Sequence, residues 1–151
     1  MRLLGFVFLS LIIATSIVAA DYYLPGTFLH RFLDSSFIET FAGLVGFNIA
    51  AVIFISGQLY VIEERSGKNG AFLSTKTEIK HNAYFLLGSF VFSIALLLLR
   101  PDLQIDTAIL ANKLYYTLTT VVLAVFSLAL FAVYEILRAV FTIGDYDTPS
   151  K

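Results

Sequence analysis

The sequence predicts an all-α membrane protein, a four-helix transmembrane bundle forming one domain over residues 1–151. Two observations predict it. The 151 residues are 58% hydrophobic and only 14% charged, with a mean hydropathy of +0.85. A soluble domain is about 45–50% apolar and about 25% charged, so a chain of this size cannot hide the excess from water. The apolar residues also gather into four continuous runs, Leu3–Ala20, Phe37–Ile62, Ala83–Leu99 and Leu114–Val133. A helix crosses a bilayer with about 17–25 apolar residues. Continuous rather than alternating runs select helices over a closed barrel, the other structure that satisfies its backbone in lipid.

The first run follows Arg2 and ends in Val18-Ala19-Ala20 before Asp21, as a secretory signal would. Its apolar stretch is longer than the usual 7–15 residues of such a signal, so an uncleaved helix is expected. Leu24-Pro25-Gly26 breaks it. Phe28, Leu29, Phe32 and Leu33 then recur at helical spacing, which predicts a short amphipathic helix lying on the membrane surface. The second run is long enough to tilt or protrude. It is followed by a hairpin, 63–82, that turns at Ser66-Gly67-Lys68-Asn69-Gly70, where glycine and asparagine favour positive φ. Thr75 and Glu78 have capping-box spacing, so the third helix is expected to start near Thr75. Arg100-Pro101 ends it. Asp106 or Thr107 can cap the fourth helix, Tyr115, Tyr116 and Tyr134 suit the headgroup levels, and Gly144 is expected to end that helix before a short tail, 144–151.

Lysine and arginine set the orientation. With the N-terminus inside, Arg2, Arg65, Lys68, Lys76, Lys80, Arg138 and Lys151 are cytoplasmic, and Arg31, Arg100 and Lys113 are outside. That distribution predicts a multi-pass membrane protein with both termini cytoplasmic.

The second span carries more than a lipid anchor needs. At 100° per residue, Ala42, Gly43, Gly46, Ala50 and Gly57 fall on one side with Glu39 and Glu64. Small residues let helices approach closely in lipid, so this side is a candidate packing or homo-oligomer face. Thr40, Asn48 and Gln58 are candidate intramembrane polar residues on a different flank. An unpaired amide in hydrocarbon costs several kcal/mol on alkane scales, so Asn48 is expected in a polar clasp within the bundle or in a polar ring about an oligomer axis. Two lipid-rejecting sides predict the second span as the central helix. Asn48→Leu and Gly46→Leu are both expected to disturb assembly. Asn82, Ser89 and Ser93 share a face of the third helix. Thr117, Thr120, Ala124, Ser127, Glu135 and Arg138 form a stripe on the fourth.

Charge and composition also exclude. A net charge of −1 offers no field for nucleic acid. No cysteine is present, and His30 and His81 fall in different loops, so no catalytic residue, metal site or cofactor is expected. The expected partners are lipid, further copies of the chain, and a soluble cytosolic protein held by Arg65, Lys68, Lys76 and Lys80 of the hairpin with Glu135 and Arg138 of the last helix.

The layout over the whole chain resembles small four-span membrane proteins of bacterial antiphage systems, the Kiwa membrane subunit and the lambda Rex membrane protein. The residues that carry the resemblance are the glycine-rich "FAGLVGFNIAAVIFISGQL", the turn "EERSGKNG" and the basic helix start "TKTEIKHNAYFLL". Likeness to the first implies an oligomeric envelope sensor or scaffold that holds a soluble effector. Likeness to the second implies a channel or pore that depolarises the membrane.

Overall fold

The computed structural model describes residues 2–23, 28–67, 70, 72–100 and 109–146. The fold is all-α, with no strand among the described residues. In chain order the helices are α1 (Arg2–Tyr23), α2 (Phe28–Arg31), α3 (Phe37–Ser66), α4 (Leu73–Leu98) and α5 (Ile109–Tyr146). Four of them contain segments long and apolar enough to cross a membrane, Leu4–Tyr23, Phe37–Ser66, Leu73–Leu98 and Asn112–Phe141. This is the frame of a multi-pass membrane protein.

The centre of the bundle is α5, not the second span. It packs against α1, α3 and α4, and 39% of its span is buried, against 17% for α1, 22% for α3 and 17% for α4. The expectation for the second span fails because a face rich in glycine can look outward as well as inward, and α3 turns its small side away from the other helices.

Three of the helices share a seam. On α3 the buried side is Phe37, Phe41, Val45, Asn48, Ile55, Leu59 and Glu63. On α4 it is Ile79, Leu86, Ser89 and Ser93, with Asn82 half-buried. On α5 it includes Tyr115, Thr119, Val122, Ala129, Val133 and Ile136. These positions advance by threes and fours, the 3.5-residue repeat of left-handed helix packing. Lipid tails are as apolar as leucine, so the contact is held by close packing rather than by a hydrophobic driving force. Rings supply much of it. Phe41 meets Phe37, Phe90 and Phe126 edge-on, with centroids 5.6, 5.3 and 5.3 Å away, the geometry aromatic quadrupoles prefer. α1 lies on another side of α5, with Phe6 stacked on Phe131 at 4.8 Å and Tyr22 against Tyr116 at 5.4 Å.

Four expectations about element ends and placement are corrected. The amphipathic segment after α1 is not a helix set apart from the bundle. Leu29 and Leu33 are buried in the bundle core, and the chain runs from α2 through a π-helical turn, Phe32–Ser36, straight into α3. The Phe37 N–H bonds back to the Phe32 carbonyl, the wider ring that marks such a turn. The same apolar spacing fits an interface helix or a helix packed on its neighbours, and here neighbours are in reach. α4 starts at Leu73, without the Thr75 capping box. The carboxylate of Glu63 accepts the Phe72 N–H at 3.1 Å, so the preceding helix supplies an acceptor at this start. α5 runs through Gly144 to Tyr146, because one glycine costs a helix only about 1 kcal/mol. Tyr115 is 1% exposed and is packed under Arg100 rather than presented outward. Residues 147–151 of the expected tail lie outside the described residues. The hairpin turn keeps its expected character, with Gly67 at φ 65° and Gly70 at φ 80°, where a side chain would be strained.

Candidate functional site

The chain concentrates its polar chemistry in three places, one at each end of the α3–α4–α5 seam and one inside it. At one end Glu63, 7% exposed, accepts from Lys76 Nζ at 2.6 Å and from the Phe72 N–H. Ser66 Oγ donates to the Glu63 carbonyl at 3.2 Å. One carboxylate thus ties the end of α3 to the start of α4. At the other end Asp34 pairs with Arg100, and His30 Nε2 lies 3.1 Å from its second oxygen. The Arg100 guanidinium sits 4.9 Å above the Tyr115 ring, a cation–π contact. Asp34 therefore ties the π-helical turn to the last residue after α4, and through Arg100 to α5.

Between these latches the seam holds polar groups that the protein does not satisfy. Asn48 is fully buried, and neither its Oδ1 nor its Nδ2 has a hydrogen-bond partner. Asn82 donates through Nδ2 to the Ala132 carbonyl at 3.1 Å, while its Oδ1 is buried without a donor. Ser93 Oγ, Thr119 Oγ1 and the Tyr115 hydroxyl are in the same state. Native interiors leave few such groups, and each calls for a reason.

The residues expected from sequence divide as follows. Ala42, Gly43, Gly46, Ala50 and Gly57 are all exposed, and a methyl group added at Gly43, Gly46 or Gly57 would meet nothing within 4 Å. The small face is therefore open, on the side of α3 away from the seam. Thr40 is exposed and Gln58 half-buried, so of the three polar residues only Asn48 enters the core. Asn48 and Gly46 belong to opposite sides of α3, and their substitutions bear on different contacts. The polar face of α4 is as expected, with Ser89 and Ser93 buried and Asn82 bonded to α5. On α5, Thr117 and Thr120 turn back to the carbonyls of Lys113 and Tyr116, both at 2.8 Å. The buried hydroxyl there is Thr119, hidden in the sequence among three threonines of one turn. Arg65, Lys80 and Arg138 are exposed at the Glu63 end and Glu135 is half-buried. Lys76 is engaged by Glu63, and Lys68 lies outside the described residues. The residues missed from sequence are Glu63 and Arg100, both read as parts of loop boundaries.

Against α1, α5 also lines an open apolar groove of about 410 Å³ with Phe6, Ile13, Ser127, Leu130, Phe131 and Tyr134. No group of three or more metal-ligating side chains occurs among the described residues. No protein-family model, curated protein or solved structure matches the chain.

Proposed function

We propose that this protein is a non-enzymatic membrane subunit that self-associates through the small-residue face of α3 and offers the Glu63 end of the bundle to a soluble cytosolic partner. The observation that carries the reading is that open face. Ala42, Gly43, Gly46, Ala50 and Gly57 lie exposed along one side of α3, with Ile53 exposed among them and Phe47 and Phe54 exposed beside them. Lipid does not need a smooth groove. A second helix does, because small residues bring backbones into van der Waals contact. The excess of Lys and Arg on the Glu63 side supports an inner membrane with both termini in the cytoplasm, and exposed Arg65 and Lys80 supply the charges for docking. The sequence layout makes antiphage defence, as an envelope sensor or scaffold, the preferred setting.

The chain has no cysteine, so single cysteines report contacts cleanly. Ala50→Cys is expected to form disulfide-linked dimers in native membranes under mild oxidation, while Ile55→Cys, on the buried side, does not. Gly46→Leu introduced beside Ala50→Cys removes the cross-link. Dimers from Ile55→Cys and none from Ala50→Cys would reject the face. Charge reversal at Arg65 and Lys80 should abolish co-purification of a soluble partner expressed from the same locus.

The second reading is a small channel. The observation favouring it is the unsatisfied polar seam, which lies inside the protomer and not on the open face.

A further inference from the structure

We propose that the seam between α3, α4 and α5 is a gated proton path contained within a single protomer. This rests on the channel reading, which it deepens by naming the ion and the path, and is independent of self-association.

The argument begins with register. Arg100 over Tyr115 and Asn82 against Ala132 fix α4 beside α5 at both ends. On that register Thr119 lies level with Leu96, and Ser93 is within about 4 Å of Thr119 along the axis, at 1.5 Å per residue. The Phe41–Phe90 contact and the Glu63–Lys76 pair fix α3 beside α4. Asn48 then falls level with the stretch between Asn82 and Ser89. From Asn82 to Arg100 along α4 is about 27 Å, close to the thickness of a hydrocarbon core, about 30 Å. The polar seam therefore runs the depth of the membrane. Successive groups are separated by steps of about 4–7 Å along the axis. One water with two hydrogen bonds of about 2.8 Å reaches at most about 5.6 Å, so the shorter steps take one water and the longer ones two.

The chemistry of the groups matters more than their number. A serine or threonine hydroxyl can turn back to its own helix, as Thr117 and Thr120 do. The Asn48 amide has two donors and an acceptor with two lone pairs, and its own helix cannot satisfy them. Asn82 Oδ1 is an acceptor with the same problem one to two turns away. Amides and hydroxyls that both donate and accept are what a hydrogen-bonded file of waters needs along its walls. Such a file passes protons by exchanging hydrogen bonds. A proton enters at one end and a different proton leaves at the other, so no group in the middle need be ionised. A sodium or potassium ion would need a full oxygen shell to replace its water, which this seam cannot provide.

The file is interrupted. On this register the edge-packed rings of Phe41, Phe90 and Phe126 lie at about the Ser89 level, between Asn48 on one side and Ser93 and Thr119 on the other. A hydrophobic constriction of this kind closes a path by excluding water. The ends are held too, by Glu63–Lys76 and Asp34–Arg100, and both latches fasten the chain of α4. Movement of α4 would release the latches and part the rings together.

The test uses the purified chain in phosphatidylethanolamine–phosphatidylglycerol vesicles with a trapped pH-sensitive dye and a potassium diffusion potential set by valinomycin. Phe90→Ala, which trims a half-buried ring, is expected to raise proton entry at least tenfold over wild type, with no matching sodium flux. Phe41→Leu is the second opening variant, should Phe90→Ala lose its helical content or its monodisperse elution. Adding Asn48→Leu or Thr119→Val to a folded opening variant should return the flux to the level of protein-free vesicles. The count of leaking vesicles should rise with the first power of the protein-to-lipid ratio, as a path within one protomer requires. A folded opening variant that stays proton-tight overturns the proposal. So does flux that survives both Asn48→Leu and Thr119→Val, equal passage of sodium, or a steeper than linear dependence on protein. The last outcome would place the path between protomers. The cysteine cross-links of α3 are read in a separate experiment, so failure of one proposal leaves the other standing.

Discussion

Replacing Asn48 with leucine should change the stability of the bundle by no more than about 1 kcal/mol, a factor of about five in the helix-association equilibrium. The naive expectation is larger, since a buried amide looks like a clasp. Asn48 makes no hydrogen bond to the protein, so no direct bond is lost. In the separated state α3 still lies in lipid, and the amide is out of water there as well. Its desolvation largely cancels from the association step. Direct hydrogen bonds between membrane helices average only about 0.6 kcal/mol and reach about 1.7, which bounds what bridging waters could add. Leucine shares asparagine's branching and number of side-chain heavy atoms but is bulkier, which holds the repacking cost to the low end of the about 1–3 kcal/mol for overpacking. The assay is reversible unfolding in mixed bicelles, followed by steric trapping or by helicity under a rising detergent fraction. A loss above about 2 kcal/mol would refute the reasoning, because it exceeds what a hydrogen bond between membrane helices supplies and would mean that the seam has no room for leucine. The small expected value has a use. It makes Asn48→Leu a variant that can lose a transport activity without losing the fold.

Phe41→Ala should cost about 3–5 kcal/mol, as for large aromatic deletions in cores, because its fully buried ring meets those of Phe37, Phe90 and Phe126; the same unfolding assay checks it. Tyr115→Phe should be within about 0.5 kcal/mol of wild type, since its buried hydroxyl has no partner, whereas Tyr115→Leu should lose about 0.5–2 kcal/mol with the Arg100 cation–π contact. Glu63→Gln should speed hydrogen exchange at the Phe72 amide and at the first turn of α4, with the middle of α4 unchanged, because the Glu63 carboxylate holds that end.

Much of the fold was legible because membrane crossing is written in run length. Phe37–Ile62 carries a single charge, Glu39, over a length that can cross a bilayer. The pairing of helices was less legible for the same reason. When a helix is apolar all round, its sequence period no longer says which side meets a neighbour, and so α5 could not be singled out as the centre. Polar residues restore some direction. Asn82, Ser89 and Ser93 marked the buried side of α4 because polar groups avoid lipid. Ala42 to Gly57 marked a side of α3 without saying whether it is covered from within. Thr119 was lost among its neighbours, since three threonines in four positions point three ways. Glu63 and Lys76 were read as loop charges, because only the folded hairpin brings two residues 13 positions apart within 2.6 Å.

α3 presents its small residues on one side and Asn48 on the other, nearly half a turn of the wheel apart. A helix with its side chains is about 10–12 Å across, and substitutions more than about 7–10 Å apart with no shared partner usually add in free energy. The helix is thereby a partition wall. Gly46→Leu and Asn48→Leu should add when combined, each acting on its own side. A measured departure from additivity would mean that α3 moves as one body when copies associate, and that assembly is felt in the interior.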